Sequence, residues 1–278
     1  MSSVQIAVSS PRPRRARTLG PLTALALRRF RLTARTPREL VIPLLTPLMF
    51  ALVIAPSLKT ALHTGASYEA FVAIGTVGLL IPLNTMFSGL GVIVDRVSGA
   101  QRELLTAPIR RGLLVVGNLL VALAITGLQI AVLLAVSVAR GIHFDASSTG
   151  MVWFTVAAAL FTVGMYGMAE ILASRVPRQE EYIARVPAIA ILPWFLAGAL
   201  FPIDALPNFL TWVAKFLPLT HALALMRYGL LDESAGLHSI WGLSDPTAMA
   251  ALSLGVVGGF ALLLAFASIR VFSRSAVQ

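Results

Sequence analysis

The chain has 278 residues, of which 57% are hydrophobic and only 12% charged, with a mean hydropathy of +0.84. A soluble domain carries about 25% charged residues, so an ordinary water-soluble fold is excluded, and several uncharged stretches reach the roughly 18 residues of a membrane span. The net charge of +10 would point to nucleic acid only if it covered one solvated face, whereas here it is expected at helix ends, and the lack of cysteine excludes disulfides and thiolate chemistry.

Residues 1–18 (MSSVQIAVSSPRPRRART) are polar, basic and proline-containing, and read as a disordered cytoplasmic tail. Over 19–37 the pattern changes. At helical spacing Leu19, Leu22, Ala26 and Phe30 share one face, and Arg28, Arg31, Arg35 and Arg38 the opposite one. A helix divided this way lies in the membrane interface with its arginines near anionic headgroups; a solvated linker is the alternative. The first apolar run has no small-residue cleavage site and is too long for a signal segment, so it reads as retained.

Six spans are predicted, at about 40–58, 71–94, 112–139, 151–173, 186–203 and 247–269. Pro43, Pro47 and Pro56 fall in or at the end of the first and Pro193 in the fifth; membrane helices tolerate proline because neighbours re-satisfy the freed carbonyls. The third span is long enough, at about 42 Å if fully helical, to tilt or protrude. Between the last two spans runs FPIDALPNFLTWVAKFLPLTHALALMRYGLL. It is apolar, yet Pro207, Lys215, Pro218 and Arg227 divide it into pieces too short to cross. Two short re-entrant or interfacial helices fit, with Trp212 and Tyr228 at headgroup level; a seventh and eighth span is the competing arrangement.

Counting Arg and Lys fixes the expected orientation. With the N-terminus in the cytoplasm and six crossings, eighteen basic residues lie inside and four outside. That asymmetry is a strong positive-inside signal and places both termini in the cytoplasm. The architecture expected is therefore all-α and integral to the membrane, a single domain over 19–275.

The missing chemistry narrows the function. A nucleotide-binding Gly-x-x-x-x-Gly-Lys-[Ser/Thr] loop needs a lysine after glycine, and neither Lys59 nor Lys215 follows one. His63, His143, His221 and His238 are scattered with no metal-ligand spacing. The spans are nearly free of the ionisable groups that ion-coupled carriers place at membrane depth. Glu170 is the exception. It is either a substrate or gating carboxylate facing the bundle, or a carboxylate that reaches interfacial water or pairs with Arg175. Ala251, Gly255 and Gly259 form a small-residue stripe suited to close helix packing, expected within the chain rather than at a dimer seam.

One polar island stands between the second and third spans: GAQRELLTAPIRR, Gly99 to Arg111. Taken as a helix over 95–107, it puts Val97, Ala100, Leu104 and Ala107 on one side and Asp95, Arg96, Gly99, Arg102, Glu103 and Thr106 on the other. Pro108 would end it, and Arg110 and Arg111 would anchor the next span. Its mixed charges suit docking of another protein better than binding of lipid; an ordinary solvated loop fits the residues equally well.

The stretch VDRVSGAQRELLTAPIRRGLLVVGNLL resembles the cytoplasmic loop of type-2 ABC exporter permeases, the family of daunorubicin-resistance-type membrane subunits, through Glu103, Leu104, Leu105, Ala107, Pro108, Ile109, Arg111 and Gly117. A second resemblance lies at Phe201, Pro202, Leu206, Pro207, Pro218, Leu219, Thr220 and Arg227, with His221 where the family commonly has Tyr. The resemblance covers about 20–275. It implies a permease subunit, not an enzyme, of a bacterial plasma-membrane exporter of amphipathic drugs or lipids. The chain itself would bind no cofactor, with ATP and magnesium on a separate ATPase subunit, and two permease copies, identical or not, would assemble with it. Gly99, Arg102, Glu103, Leu104, Leu105, Pro108 and Arg111 are implied to couple to the ATPase, and Phe201, Pro202, Pro207, Pro218 and Arg227 to form an external re-entrant gate. Membrane lipids are expected partners and nucleic acid is not. The rival functions are a stand-alone secondary transporter or channel, and an integral membrane enzyme, which would need a His, Asp or Glu cluster at one membrane face.

Overall fold

The computed structural model describes residues 19–275 apart from 55, 58–59, 61–66 and 108. The expected tail 1–18, Lys59 and Pro108 therefore lie outside the described residues. Among those described there are only helices: α1 (Leu19–Ala34), α2 (Pro37–Met49) running into a π-helical turn (Phe50–Ile54), α3 (Ser67–Val97), α4 (Ala100–Thr106), α5 (Gly112–Ala139), α6 (Ser148–Arg175), α7 (Gln179–Leu196), a 3-10 turn (Ile203–Ala205), α8 (Asn208–Phe216), α9 (Pro218–Leu231), α10 (Ala235–Trp241) and α11 (Pro246–Ser275). Four of them, α3, α5, α6 and α11, are long and apolar enough to cross a membrane, and the bent pair α8–α9 would make a fifth.

Of the six expected spans, four are thus present as helices long and apolar enough to cross, and the helices that cover the first and the fifth are not among them. The first is split between α2 and its π-helical turn. The fifth becomes α7, which begins at Gln179, carries Glu180, Glu181 and Arg185 in its first two turns, and stops at Leu196 rather than 203. The break that ends it is built by Gly198, whose φ of 78° lies in the left-handed region open to glycine.

Helix α6 is the central post. It packs against α3, α9 and α11, and glycines set the approach. A side chain on Gly167 would meet the Leu264 backbone of α11 at 2.7 Å, and one on Gly150 would overlap the Gly229 carbonyl of α9. The stripe Ala251, Gly255 and Gly259 does not take part. Those residues are exposed, with nothing within 4 Å of a Cβ at Gly255 or Gly259. The buried face of α11 is Val257, Ala261 and Leu264, because the glycines that let the two helices meet stand on α6. Local signals explain the ends: Ser147 caps α6 by accepting the Gly150 amide at 2.9 Å, and Pro218 opens α9 after an extended Leu217. That last junction turns the chain by 81°.

Candidate functional site

At one end of the bundle, α3 stops at Val97, the chain turns through Gly99 at φ 81°, and α4 runs for two turns. Nothing crowds Gly99; it is the backbone conformation that favours glycine there. Leu104 and Leu105, with Ile109, pack on a cluster made by Leu114, Val115, Tyr166 and Phe272. Arg102, Glu103 and Thr106 are exposed. Arg111 turns away from solvent and donates to the Ser273 carbonyl at 3.1 Å, a cation on the C-terminal turn of α11.

The unbroken helix expected over 95–107 is corrected by this turn. Because Gly99 resets the helix, Val97 and Ala107 are exposed instead of covered. Asp95 and Arg96 point into the bundle. Arg96 donates to the carbonyls of Ala173, at 3.0 Å, and Val176, capping α6.

Helix α1 lies against α5, with Leu25 3.1 Å from where a Gly117 side chain would begin. Its charges do not all face headgroups, as the sequence pattern suggested. Arg31 and Arg35 are exposed, but Arg28 makes a two-pronged ion pair with Asp95 at 3.0 and 3.2 Å, and Arg29 is buried, donating to the Ser88 carbonyl at 3.0 Å. Gly91 leaves the space that the Arg29 guanidinium fills, and Gly89 does the same for the Tyr182 hydroxyl. Phe30, on the apolar face expected to enter the membrane interface, is exposed at the protein surface.

Glu170 belongs to this assembly. It is 1% exposed, accepts the Tyr166 hydroxyl at 2.8 Å, and feels the charges of Arg29 and Asp95. Arg175 is exposed and makes no ion pair with it among the described residues; in place of the expected reach to water or to Arg175, Glu170 is buried on Tyr166. No sequence pattern joins Arg28 and Arg29 to α3, because partners 67 and 59 residues away leave no periodic trace.

The opposite end carries the residues assigned to a re-entrant gate. Phe201, Pro202 and Pro207 are exposed, Pro218 is half-buried at the α8–α9 bend, and Arg227 is buried. Phe209, Trp212 and Phe216 stand exposed along α8, an aromatic face of the kind found at membrane–water boundaries. Tyr228 is instead half-buried, edge-on to Trp153 at 6.1 Å. His221 bridges three helices, contacting the Lys215 carbonyl at 2.9 Å and the Ser253 hydroxyl at 3.2 Å, where the Trp241 indole also donates. Between the two ends, a 240 Å³ cavity is lined by Pro82, Phe161, Met165, Pro193, Pro218 and Phe260 among others. A larger 530 Å³ groove separates α5 from α6 along Gly127, Ile130, Met151 and Ala158. Both are almost wholly apolar.

Known proteins share this sequence pattern. Nodulation protein J of Rhizobium leguminosarum bv. viciae is 28% identical over 61% of this chain and 65% of its own length. The putative transport permease ycf38 of Porphyra purpurea is 26% identical over 74% and 72% respectively. The linearmycin resistance permease protein LnrN of Bacillus subtilis is 26% identical over 69% of this chain and 45% of its own. The chain thus spans just under two thirds of the length of the nodulation protein. Residues 21–231 match the family described as ABC-2 type transporter, a stretch that takes in α1, the Gly99–Arg111 turn, the central post and the α8–α9 bend, and the chain belongs to that family of membrane proteins.

Proposed function

We infer that the chain is the permease subunit of an ATP-driven exporter, with six crossings, both termini in the cytoplasm, and a bacterial plasma membrane as its site. In this arrangement α2 with its π-helical turn and α7 are the first and fifth spans. Each is 18 residues or about 27 Å long, with its charged first turns at headgroup level, so each is short for the roughly 30 Å of a hydrocarbon core. Helix α1 lies in the cytoplasmic interface and α8 in the outer one.

The observation that carries the reading is the form of α4. Its underside is clamped to the bundle by Leu104 and Leu105, and its upper face offers the Arg102 and Glu103 side chains, which have no partner among the described residues. A separate ATPase holding ATP and magnesium would push there, and two permease copies would pair over two ATPases. Force on α4 would pass through Gly99 to the end of α3 and, by the Arg28–Asp95 pair, to α1. The apolar cavity and groove suit amphipathic drugs or lipids, as the resistance permease among the relatives suggests.

The discriminating experiment co-expresses the chain with an ABC ATPase subunit from its own genome and reverses both charges, Arg102→Glu with Glu103→Arg. Loss of ATPase co-purification and of export, with membrane insertion intact, is expected. Normal co-purification of the double variant would sink the reading. A stand-alone ion-coupled carrier has one observation in its favour, the buried Glu170. It would transport in vesicles with an ion gradient and no ATPase.

A further inference from the structure

The α8–α9 bend is fastened by one buried histidine. His221 stands in the first turn of α9 at 3% exposure, whereas His143 and His238 are exposed. Its Nε2 lies 2.9 Å from the Lys215 carbonyl in the last turn of α8, and its Nδ1 lies 3.2 Å from the hydroxyl of Ser253 on α11. The Lys215 carbonyl needs this contact. A helix end leaves its last carbonyls without amides, and the residue three further on is Pro218, which has no N–H to give. The Trp241 indole of α10 donates to the same Ser253 oxygen at 2.8 Å, and its ring lies 5.5 Å from the imidazole. One side chain thus joins α9 to α8, α10 and α11.

The partners fix where the protons are. A carbonyl only accepts, so Nε2 carries a hydrogen. An indole N–H only donates, so the Ser253 oxygen accepts from Trp241 and turns its own hydrogen to Nδ1. This is a neutral imidazole with both nitrogens satisfied. A second proton on Nδ1 would displace the Ser253 donor and set a positive charge in a buried site. On the elements packed around it the titratable groups are Lys215 of α8, Arg227 and Tyr228 of α9 itself, His238 of α10, and Tyr68 and Glu69 of α3. Asp204, Asp232, Glu233 and Asp245 stand in the adjoining turns, and α6 and α11 carry none before Tyr166 and Arg270. None of these forms an ion pair with His221 among the described residues. The carbonyl end of α8 favours a cation and the amide end of α9 opposes one, so the helix ends offset each other. A buried charge without a counter-ion is costly.

We propose that His221 is an acid-sensitive joint, whose protonation breaks the bond to Ser253 and frees α8 from α10 and α11. The joint is complete while the imidazole is neutral, above the ordinary histidine value of about 6.5, and loosens as pH falls below it. Only the side from which the proton arrives, the outer one, rests on the topology inferred above. The loosening needs no ATPase, so the two readings fail separately.

The test follows backbone hydrogen exchange of the purified full-length chain in maltoside detergent at about pH 7.5 and about pH 5, the range over which histidine changes charge, corrected for the intrinsic effect of pH on exchange. Protection of α8 and α10 should fall at least about tenfold at the lower pH, equal to roughly 1.4 kcal/mol, while α3 and α6 keep theirs. Tryptophan emission should fall over the same range, because an imidazolium beside Trp241 quenches the indole. The amide of His221→Gln can still donate to the Lys215 carbonyl and accept from Ser253 but takes up no proton, so in that variant both changes should vanish. Should the glutamine fail to hold the joint even at about pH 7.5, the wild-type chain decides, since its exchange and emission changes must share one midpoint. Wild-type protection unchanged by pH, a loss that persists in a folded His221→Gln, a loss spread evenly over all helices, or two separate midpoints overturns the proposal.

Discussion

The two ends of the bundle are built by different means. At the α4 end, arginines staple helices together: Arg28 to Asp95, Arg29 to the Ser88 carbonyl, Arg96 to the end of α6 and Arg111 to the end of α11. At the α9 end arginines are stapled too, Arg227 to the Ala199 and Phe71 carbonyls and Arg140 to the Ala51 carbonyl, but backbone also meets backbone and aromatic rings add polar links. Gly75 lies against the Ala199 carbonyl, the Trp194 indole donates to the Gly75 carbonyl at 2.7 Å, and the Tyr68 hydroxyl donates to the Leu200 carbonyl at 3.0 Å. Long charged side chains can change partners while helices slide, whereas a carbonyl against a glycine cannot. The first end is therefore suited to receive motion and the second to resist it.

Two glycine substitutions test that contrast, and they carry the largest expected effect. In Gly75→Ala the new methyl overlaps a backbone carbonyl, so α3 or the 197–199 turn must move and the Trp194 bond is strained. The loss should be about 3 kcal/mol or more, at the upper end of overpacking costs. In Gly91→Ala the methyl overlaps only the tip of Arg29. The guanidinium can leave Ser88, and the loss should be about 1–2 kcal/mol. Thermal unfolding of the two variants in one detergent measures the difference. Equal losses would mean that the α4 end is as rigid as the other.

The sequence exposed part of this plan. Apolar runs marked the four long helices, and the break at Pro207, Lys215 and Pro218 marked the α8–α9 bend, because proline and charge act locally. Leu104 was legible as part of the covered face, Leu105 beside it was not, and Val97 was misplaced because the left-handed turn at Gly99 shifts the helical phase. The wheel for α1 gave its charges to lipid, since periodicity says which residues share a face but not what that face meets. Arg28 and Arg29 turned out to meet α3. The role of Ala251, Gly255 and Gly259 failed for the same reason: small residues permit close packing, but Gly164 and Gly167 on α6 decide where α11 lies. His221, Ser253 and Trp241 had no pattern at all, being joined only in space.

The Arg28–Asp95 pair tests whether motion passes between α1 and α3. Its side chains are 33% and 15% exposed, so water screens it in part. Asp95→Asn should cost about 1–2 kcal/mol, between a surface pair and a buried one. The exchange Arg28→Asp with Asp95→Arg should recover at least about half of the loss, because the geometry is bidentate but no longer native. If the link transmits force, Asp95→Asn reduces export more than its stability loss explains, and the exchanged pair restores export in proportion to the recovered stability. Export unchanged in Asp95→Asn would confine the pair to a static role.

The smallest effect on folding belongs to α8. Phe209, Trp212 and Phe216 are exposed and touch little of the bundle, so Trp212→Ser should shift unfolding in detergent by no more than about 0.5 kcal/mol, the usual range for a surface change. Their value is expected to appear only in a bilayer, where an aromatic face settles at headgroup level and fixes the tilt of α8 relative to α9. In vesicles, Trp212→Ser should therefore raise protease access to the Ala205–Phe216 stretch several-fold while the detergent melting curve stays in place. An unchanged cleavage rate would show that the 81° bend at Leu217–Pro218, and not the lipid boundary, holds α8 where it lies.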